Sequence, residues 1–457
     1  MVNGVSSLPP GAVAEATTDD LQPYMTNPVR FLWQRYRQYG RIFTAQLDRP
    51  TIFMVGPEAN KFILHDRKDC FSSGQTWPQA VRSLLGEEAL SFHDGESYLR
   101  LLQFVSPSAF APDVLHGAFE SLKVCVDTHS QRWATGKPLA FHTEVRGLVS
   151  EAMFRWMMGT PDQPAEMDEL KALYKAMTFI PEPREKQARS QDLPWTRHRP
   201  SVEEWQAKLD ARDTLHRYLM SVVASRRHHP RCDALSRMCQ KKDKAGLGLT
   251  DREAVSQMLN LMSAGTDASS AIATWLLSAV ARFPEVRAKL QAETDTVVGD
   301  EPLQWHHLSQ LPYTMGVLKE VERMHPPALA PVRVVVKPCQ FDGYDVPEGA
   351  MVRYATIISH FLPEVFAHPE TFDPERFAPP REEDKRTPYS LVGFGGGSRH
   401  CLGKPFAKIF LQTLLVMLLQ HYDWTVVADR ELAPERRDHV LKAQLKMAFT
   451  TRAAAHR

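Results

Sequence analysis

The sequence predicts a mainly helical fold with a minor β part, and three features carry that expectation. Helical patterning runs with few breaks from Gly95 to Met324, punctuated by Pro107, Gly136, Pro161, Pro181, Pro230 and Pro284. Short apolar runs bounded by turn residues are confined to the two flanks of that body. A glycine-rich segment, Phe394-Gly-Gly-Gly-Ser-Arg-His-Cys-Leu-Gly403, leads straight into an apolar helical run from Lys404 to Gln420.

In chain order, Pro28 to Tyr39 reads as a helix, Arg41 to Leu47 and Thr51 to Val55 as strands, and a further helix follows Pro57. Residues 67–92 read as irregular, yet carry Phe71, Trp77, Val81, Leu84, Leu85 and Phe92, which is apolar for a solvent loop. Residues 181–200 are polar, basic and proline-containing, and read as a mobile connection. The longest helix is expected from Thr250 to about Arg282, with Thr250 and Glu253 spaced as a capping box. At 1.5 Å per residue, about thirty residues span roughly 45 Å, enough to cross the molecule. Its middle reads Ala264-Gly265-Thr266-Asp267-Ala268-Ser269. A glycine inside a helix costs about 1 kcal/mol relative to alanine. The small pair therefore points to a large flat body lying against the helix, or to close helix–helix packing. A later helix ends before His325-Pro326-Pro327. Strands are expected at Arg333 to Val336, Gln340 to Val346 and Met351 to Ile357, and a meander, Phe372 to Phe377, leads to the glycine-rich segment.

The 457 residues contain no low-complexity linker and no internal repeat, which suits a single large domain around a cofactor, with residues 1–23 poorly ordered. Lys+Arg is 55 and Asp+Glu 54, so a net charge of +1 gives no footprint for nucleic acid. Cys70, Cys125, Cys232, Cys239, Cys339 and Cys401 are scattered, which fits a reducing cytoplasm better than a disulfide framework. The opening residues lack a basic-then-apolar signal segment. The most apolar run, Ile409 to Leu419, is too short for a transmembrane anchor and reads as a buried helix.

Cys401 sits in the glycine-rich turn just before the helix at Lys404. Free N–H groups and the positive dipole end of a helix start both favour a thiolate. One thiolate is too few for a zinc or iron–sulfur site, and suits haem iron. The segment resembles the haem-binding signature of the cytochromes P450, Phe-x-x-Gly-x-Arg-x-Cys-x-Gly, at Phe394, Gly397, Arg399, Cys401 and Gly403. The likeness extends from about residue 24 through Arg35-Tyr-Arg-Gln-Tyr-Gly and Ile358-Ser-His-Phe-Leu-Pro-Glu-Val-Phe, phrases similar to sterol-, retinoid- and terpenoid-oxidising members.

That resemblance implies a P450 fold with the long central helix over a haem b, iron protoporphyrin IX. It implies a soluble, bacterial-type monooxygenase that oxidises a lipophilic small molecule with O2 and two electrons from separate redox proteins. Cys401 would ligate the iron, with Phe394, Gly395, Gly403, Ala264 and Gly265 around the haem. Arg399, Arg333 and Tyr98 would meet the propionates; Tyr98 stands where Trp or His is usual, Leu102 where Arg is usual, and Arg100 is out of phase. Glu320, Arg323 and Arg376 would form the family's structural Glu-Arg-Arg triad. On the central helix Ala264, Gly265, Asp267 and Ser269 match the family motif, but the threonine position holds Ala268. Asp267 is the expected proton-delivery residue, followed by Ser269 and Thr266. A substrate hydroxyl, Asp267 with ordered water, or chemistry without the standard O–O cleavage would each accommodate Ala268. An atypical, peroxide-using or coupling enzyme and a non-catalytic haem or ligand-binding protein are the competing readings. The expected pocket residues are Trp77, Val81, Leu85, Phe179, Ala268, Ala328, Leu329 and Val332. Arg399, His400, Lys404 and Lys408 form a basic proximal face, either a dock for an acidic ferredoxin or an ordinary solvated helix face, on a protein expected to be a monomer.

Overall fold

The computed structural model describes residues 8–11, 20–159, 164–178, 201–427 and 445–452. Phe179 and the connection 181–200 lie outside them. Within 1–23, the Asp20 carboxylate accepts from the Gln46 backbone N–H at 3.0 Å, just before the helix Leu21–Thr26.

The architecture is helical, as the family fold requires, and its axis is the central helix Asp251–Arg282. The Thr250 hydroxyl accepts from the Glu253 N–H at 3.2 Å and the Glu253 carboxylate from the Thr250 N–H at 2.8 Å, so the capping box is complete. The helix packs along Phe141–Met158, which buries Phe141, Val145, Leu148, Val149, Met153 and Met157. Each large apolar side chain buried this way contributes about 1.5–3 kcal/mol. Among the described residues, no helix is long and apolar enough to cross a membrane.

The strands are β1 (Ile42–Gln46), β2 (Pro50–Met54), β3 (Phe71–Ser72), β4 (Leu139–Ala140), β5 (Val332–Val335), β6 (Cys339–Phe341), β7 (Tyr344–Val346), β8 (Met351–Tyr354), β9 (Tyr422–Val426) and β10 (Lys446–Thr451). They form a five-stranded sheet in the order β1-β2-β8-β5-β3, a three-stranded sheet β4-β10-β9 and the pair β6-β7. Strands β2 and β8 run parallel, with Thr51 opposite Met351. The single strand expected over Gln340 to Val346 is instead a hairpin: Asp342 (φ 52°) and Gly343 (φ 82°) turn the chain, the Asp-Gly pair that two-residue hairpins favour. The strand expected over Met351 to Ile357 stops at Tyr354, where the chain turns into the short helix Thr356–Ser359. The sheet holding β9 and β10 was not anticipated. Residues 67–92, expected to be irregular, contain the helix Gln79–Leu85.

Behind the glycine-rich segment, the helix Pro312–Met324 is locked in place by buried charge. The Glu320 carboxylate receives Arg323 at 2.7 and 2.8 Å, Arg376 at 3.1 Å and the Asp373 N–H at 2.9 Å, and all three charged side chains are fully buried. His360 joins this helix to the next segment. Its Nδ1–H donates to the Arg323 carbonyl at 3.0 Å, and Nε2 accepts from the Val392 N–H at 2.9 Å. That pair of partners fixes a neutral imidazole, and burial pushes its pKa down to about 3.

Candidate functional site

A cavity of about 380 Å³ separates the central helix from the cysteine segment. Ala264, Gly265, Ala268, Ser269 and Ile272 line one wall. Their spacing places them on one helical stripe, and four of the five carry little beyond Cβ. Gly393, Phe394, Cys401, Leu402 and Gly403 line the other. The result is a slot with a thiol on one side and a nearly flat wall on the other.

The cysteine segment is held by its own backbone. The Cys401 N–H donates to the Phe394 carbonyl at 2.8 Å, and the Gly395 N–H to the Val392 carbonyl at 2.8 Å. Gly397 has φ +61°, and a Cβ there would lie 2.0 Å from the Leu64 carbonyl oxygen. Gly265 lines the cavity and also admits the neighbouring helix: a Cβ on it would meet the Met153 methyl at 2.8 Å, as the alternative of close helix packing requires. The two glycines should respond differently to alanine. Gly265→Ala is expected within about 1 kcal/mol of wild type, because regained helix propensity offsets displacement of a flexible Met end. Gly397→Ala is expected to lose at least about 1–3 kcal/mol, from left-handed backbone and a clash with a carbonyl that cannot retreat. Urea midpoints of the two variants, measured side by side, check the contrast.

The Cys401 side chain opens onto the cavity and is crowded by protein elsewhere. Backbone N–H groups of Gly403 and Lys404 and the Lys404 charge lower its pKa, and Glu322 raises it. Burial is the largest influence and leaves the thiol above its ordinary value. The expectation that the helix start wins is therefore corrected: the donors are present, but desolvation outweighs them in the free thiol. A coordinated cation reverses that balance, since a ligating thiol is deprotonated outright.

Two guanidinium groups, Arg333 and Arg399, reach the cavity. Arg399 lies 3.5 Å from the Tyr98 ring centroid, pairs with Asp94 at 2.5 Å and also donates to the His93 carbonyl. It thus belongs to the cavity edge and not to the outer basic face, where His400 and Lys404 are exposed. The Tyr98 hydroxyl donates to the Ser398 carbonyl at 3.2 Å. Asp94, unanticipated, also accepts from the Ser72 hydroxyl at 2.5 Å and the Gly74 N–H at 3.0 Å, tying residues 72–74 to Arg399. Leu102 packs into the apolar core and Arg100 pairs with Glu253, so neither supplies a third cation here.

The central helix divides its proton-carrying residues. Ser269 is buried and lines the cavity. Asp267 is on another face: its carboxylate pairs with Arg146 at 2.8 Å and its side chain is 68% exposed. Thr266 is fully buried beside Tyr174. The expected order, with Asp267 first, is reversed for access to the cavity, because at 100° per residue positions 266 and 267 turn away from the stripe holding 264, 265, 268 and 269.

Of the expected pocket residues, Trp77, Ala268 and Ala328 line the cavity. Val81 and Leu85 pack into the core on the helix Gln79–Leu85, which lies against the helix Val202–His228 and the central helix. Leu329 is buried behind Ala328. Val332 precedes Arg333 on β5, and strand alternation sends its side chain to the opposite face. Met153, Trp156 and Phe406 were missed; Trp156 and Phe406 stack at 4.6 Å. Met153 and Trp156 share the helix Phe141–Met158, Phe406 comes from the helix after Cys401, and no sequence signal links the two. Asn260 could have been found, since it sits one turn before Ala264 on the same stripe. The donor set of one thiol and two guanidiniums, with flat apolar walls, fits a planar macrocycle that carries carboxylates and a metal.

Residues 21–450 match the family model described as Cytochrome P450. The chain is 27% identical over 433 residues to abscisic acid 8'-hydroxylase 2 of Arabidopsis thaliana, which spans 93% of this chain and 86% of that protein. It is 25% identical over 441 residues to a sterol 14alpha-demethylase of Mycolicibacterium vanbaalenii, covering 94% of each. A solved structure of retinoic acid bound cyanobacterial CYP120A1 aligns with a TM-score of 0.80 at 25% identity, over 98% of this chain and 100% of that one.

Proposed function

The chain belongs to the cytochrome P450 family of haem-thiolate monooxygenases, and from that premise we propose that Cys401 ligates a haem b and that the enzyme hydroxylates an isoprenoid-type lipid. The observation that carries this reading is the Cys401 thiol facing the small-residue stripe of Ala264, Gly265 and Ala268 across one slot. When bound, the haem supplies the oxidising chemistry, with electron donation from the thiolate.

The chain's own residues supply placement and protons. The Phe394 carbonyl and the glycine turn fix the sulfur. Arg333 and Arg399, with Tyr98 under the latter, hold carboxylates at the cavity edge. Ala268 leaves no hydroxyl at its position, so Ser269 is the hydroxyl this stretch of the central helix offers for holding a proton inside. Asp267, paired with Arg146 on the solvent side, stands two residues from it. Trp77 and Ala328 shape the apolar end and exclude water. The substrate class is supported by the relatives, an abscisic acid hydroxylase, a sterol demethylase and a retinoic-acid-bound structure. The exposed His400 and Lys404 beside the cysteine segment suit an acidic ferredoxin-type donor.

Two measurements test this. The carbonyl-bound ferrous wild type should show the red-shifted Soret band of a haem thiolate, and Cys401→Ala should lose it; a variant that keeps it refutes the ligand assignment. Titrating the ferric protein with retinoids, sterols and terpenoid acids should give a high-spin shift with one class. No shift with any of them refutes the substrate class.

A further inference from the structure

Glu322 is a buried acid that neither the triad nor the proposed chemistry uses. It lies between Glu320 and Arg323 in sequence, but its side chain lines the cavity and is 6% exposed. Its carboxylate packs against the backbone at Gly393, and the cations acting on it are Lys404 and Lys319. Burial raises its pKa to about 7. The contact is close: a Cβ on Gly393 would fall 2.4 Å from Glu322 Cγ and 2.8 Å from Oε1, so only glycine fits against this acid.

The contacts form a chain that ends at the sulfur. The Val392 N–H goes to His360, and the next residue, Gly393, packs against Glu322. The carbonyl of the residue after that, Phe394, accepts from the Cys401 N–H at 2.8 Å. The helix Pro312–Met324 thus meets two successive residues of the segment that carries the thiol, one of them through His360. Glu322 and Cys401 also line the same cavity. A negative charge there disfavours added negative charge on a metal bound to the thiol.

We propose that Glu322 is a positioning residue of the thiolate site: through Gly393 and Phe394 it sets the carbonyl that holds Cys401, and its charge makes the bound iron harder to reduce. This rests on Cys401 being the haem ligand. A glutamine keeps the shape and an acceptor oxygen beside Gly393 and removes the charge; a leucine removes both.

The test is a spectroelectrochemical titration of haem-loaded wild type, Glu322→Gln and Glu322→Leu at pH 8, with haem content and the carbonyl-bound ferrous band recorded for each. Glu322→Gln should keep full haem and the thiolate band, while the ferrous-to-ferric ratio at fixed poise rises about tenfold, equivalent to about 59 mV for one electron. Glu322→Leu should show that shift and also lose part of its haem or thiolate band. A wild-type potential in Glu322→Gln overturns the role of the charge. Full haem and an intact band in Glu322→Leu overturn the positioning role, and if that variant does not fold, Glu322→Gln alone decides the charge. The parent reading fails separately, if wild type lacks the thiolate band or Cys401→Ala retains it.

Discussion

Glu320→Ala is expected to cost roughly 3–5 kcal/mol, the range for breaking a buried ion pair by removing one partner. Glu320 is the single anion between two guanidiniums, all without solvent exposure. Removing it leaves Arg323 with no carboxylate and strips the Asp373 N–H of its acceptor. Arg376 keeps Glu383 at 2.7 Å and the Ala367 and Thr371 carbonyls. Arg376→Ala should therefore be the milder change, because Glu320 retains Arg323 and Glu383 retains Arg381 at 2.7 Å. Against a typical folding stability of about 5–15 kcal/mol, the glutamate variant loses roughly a fifth or more of the total. Urea unfolding of the two variants gives the order. A milder effect for Glu320→Ala than for Arg376→Ala would show that the anion is not the centre of the cluster.

His360 should contribute acid lability well above the carboxylate range. Its pKa is about 3 in the folded chain against an ordinary 6.5. The native state keeps it neutral, because Nε2 must accept from the Val392 N–H and no water reaches it. Between those values the unfolded state binds the proton and the native state does not, so stability falls as pH falls. It is full above 6.5 and declines by about 1.4 kcal/mol per unit, so about 2 kcal/mol of the high-pH stability is gone by pH 5. Burial also lowers the pKa of His216 and His307, which add in the same direction, while Glu322, raised from 4.5 to about 7, opposes them by gaining stability as pH falls through that range. The His360 slope is therefore read as the difference in urea midpoint between wild type and His360→Asn from pH 8 to pH 5. His360→Asn should be less stable at pH 8 and lose less on acidification; a difference that does not change with pH would move the effect to the other histidines.

What the sequence could disclose depended on whether the needed partner was local. Thr250 and Glu253 form their cap within one turn, so the start of the central helix was legible to the residue. The Asp342-Gly343 turn was equally local and was overlooked. The cysteine segment was legible because its glycines, arginine and thiol lie within ten residues. The central helix was half legible. Spacing shows that 264, 268 and 269 share a stripe and that 267 does not, but only Arg146, from a helix about 120 residues earlier, shows that Asp267 faces solvent. Val81 and Leu85 look the same in sequence whether they line a pocket or a core. Glu322 resembles any glutamate in an amphipathic helix until Gly393 and Phe394 close over it.

The parallel pairing of Thr51 with Met351 links residues 351 − 51 = 300 positions apart. A ribosome adds about 5–20 residues per second, so β2 emerges roughly 15–60 s before β8 exists to cover its edge. In that interval β1 and β2 can form only a hairpin, whose free side presents Ile52, Phe53 and Met54. An uncovered apolar strand edge is a template for pairing with another chain. The yield of folded protein in a cell is therefore governed by the pace of synthesis and by chaperone cover of the first hundred residues as well as by the stability of the finished molecule.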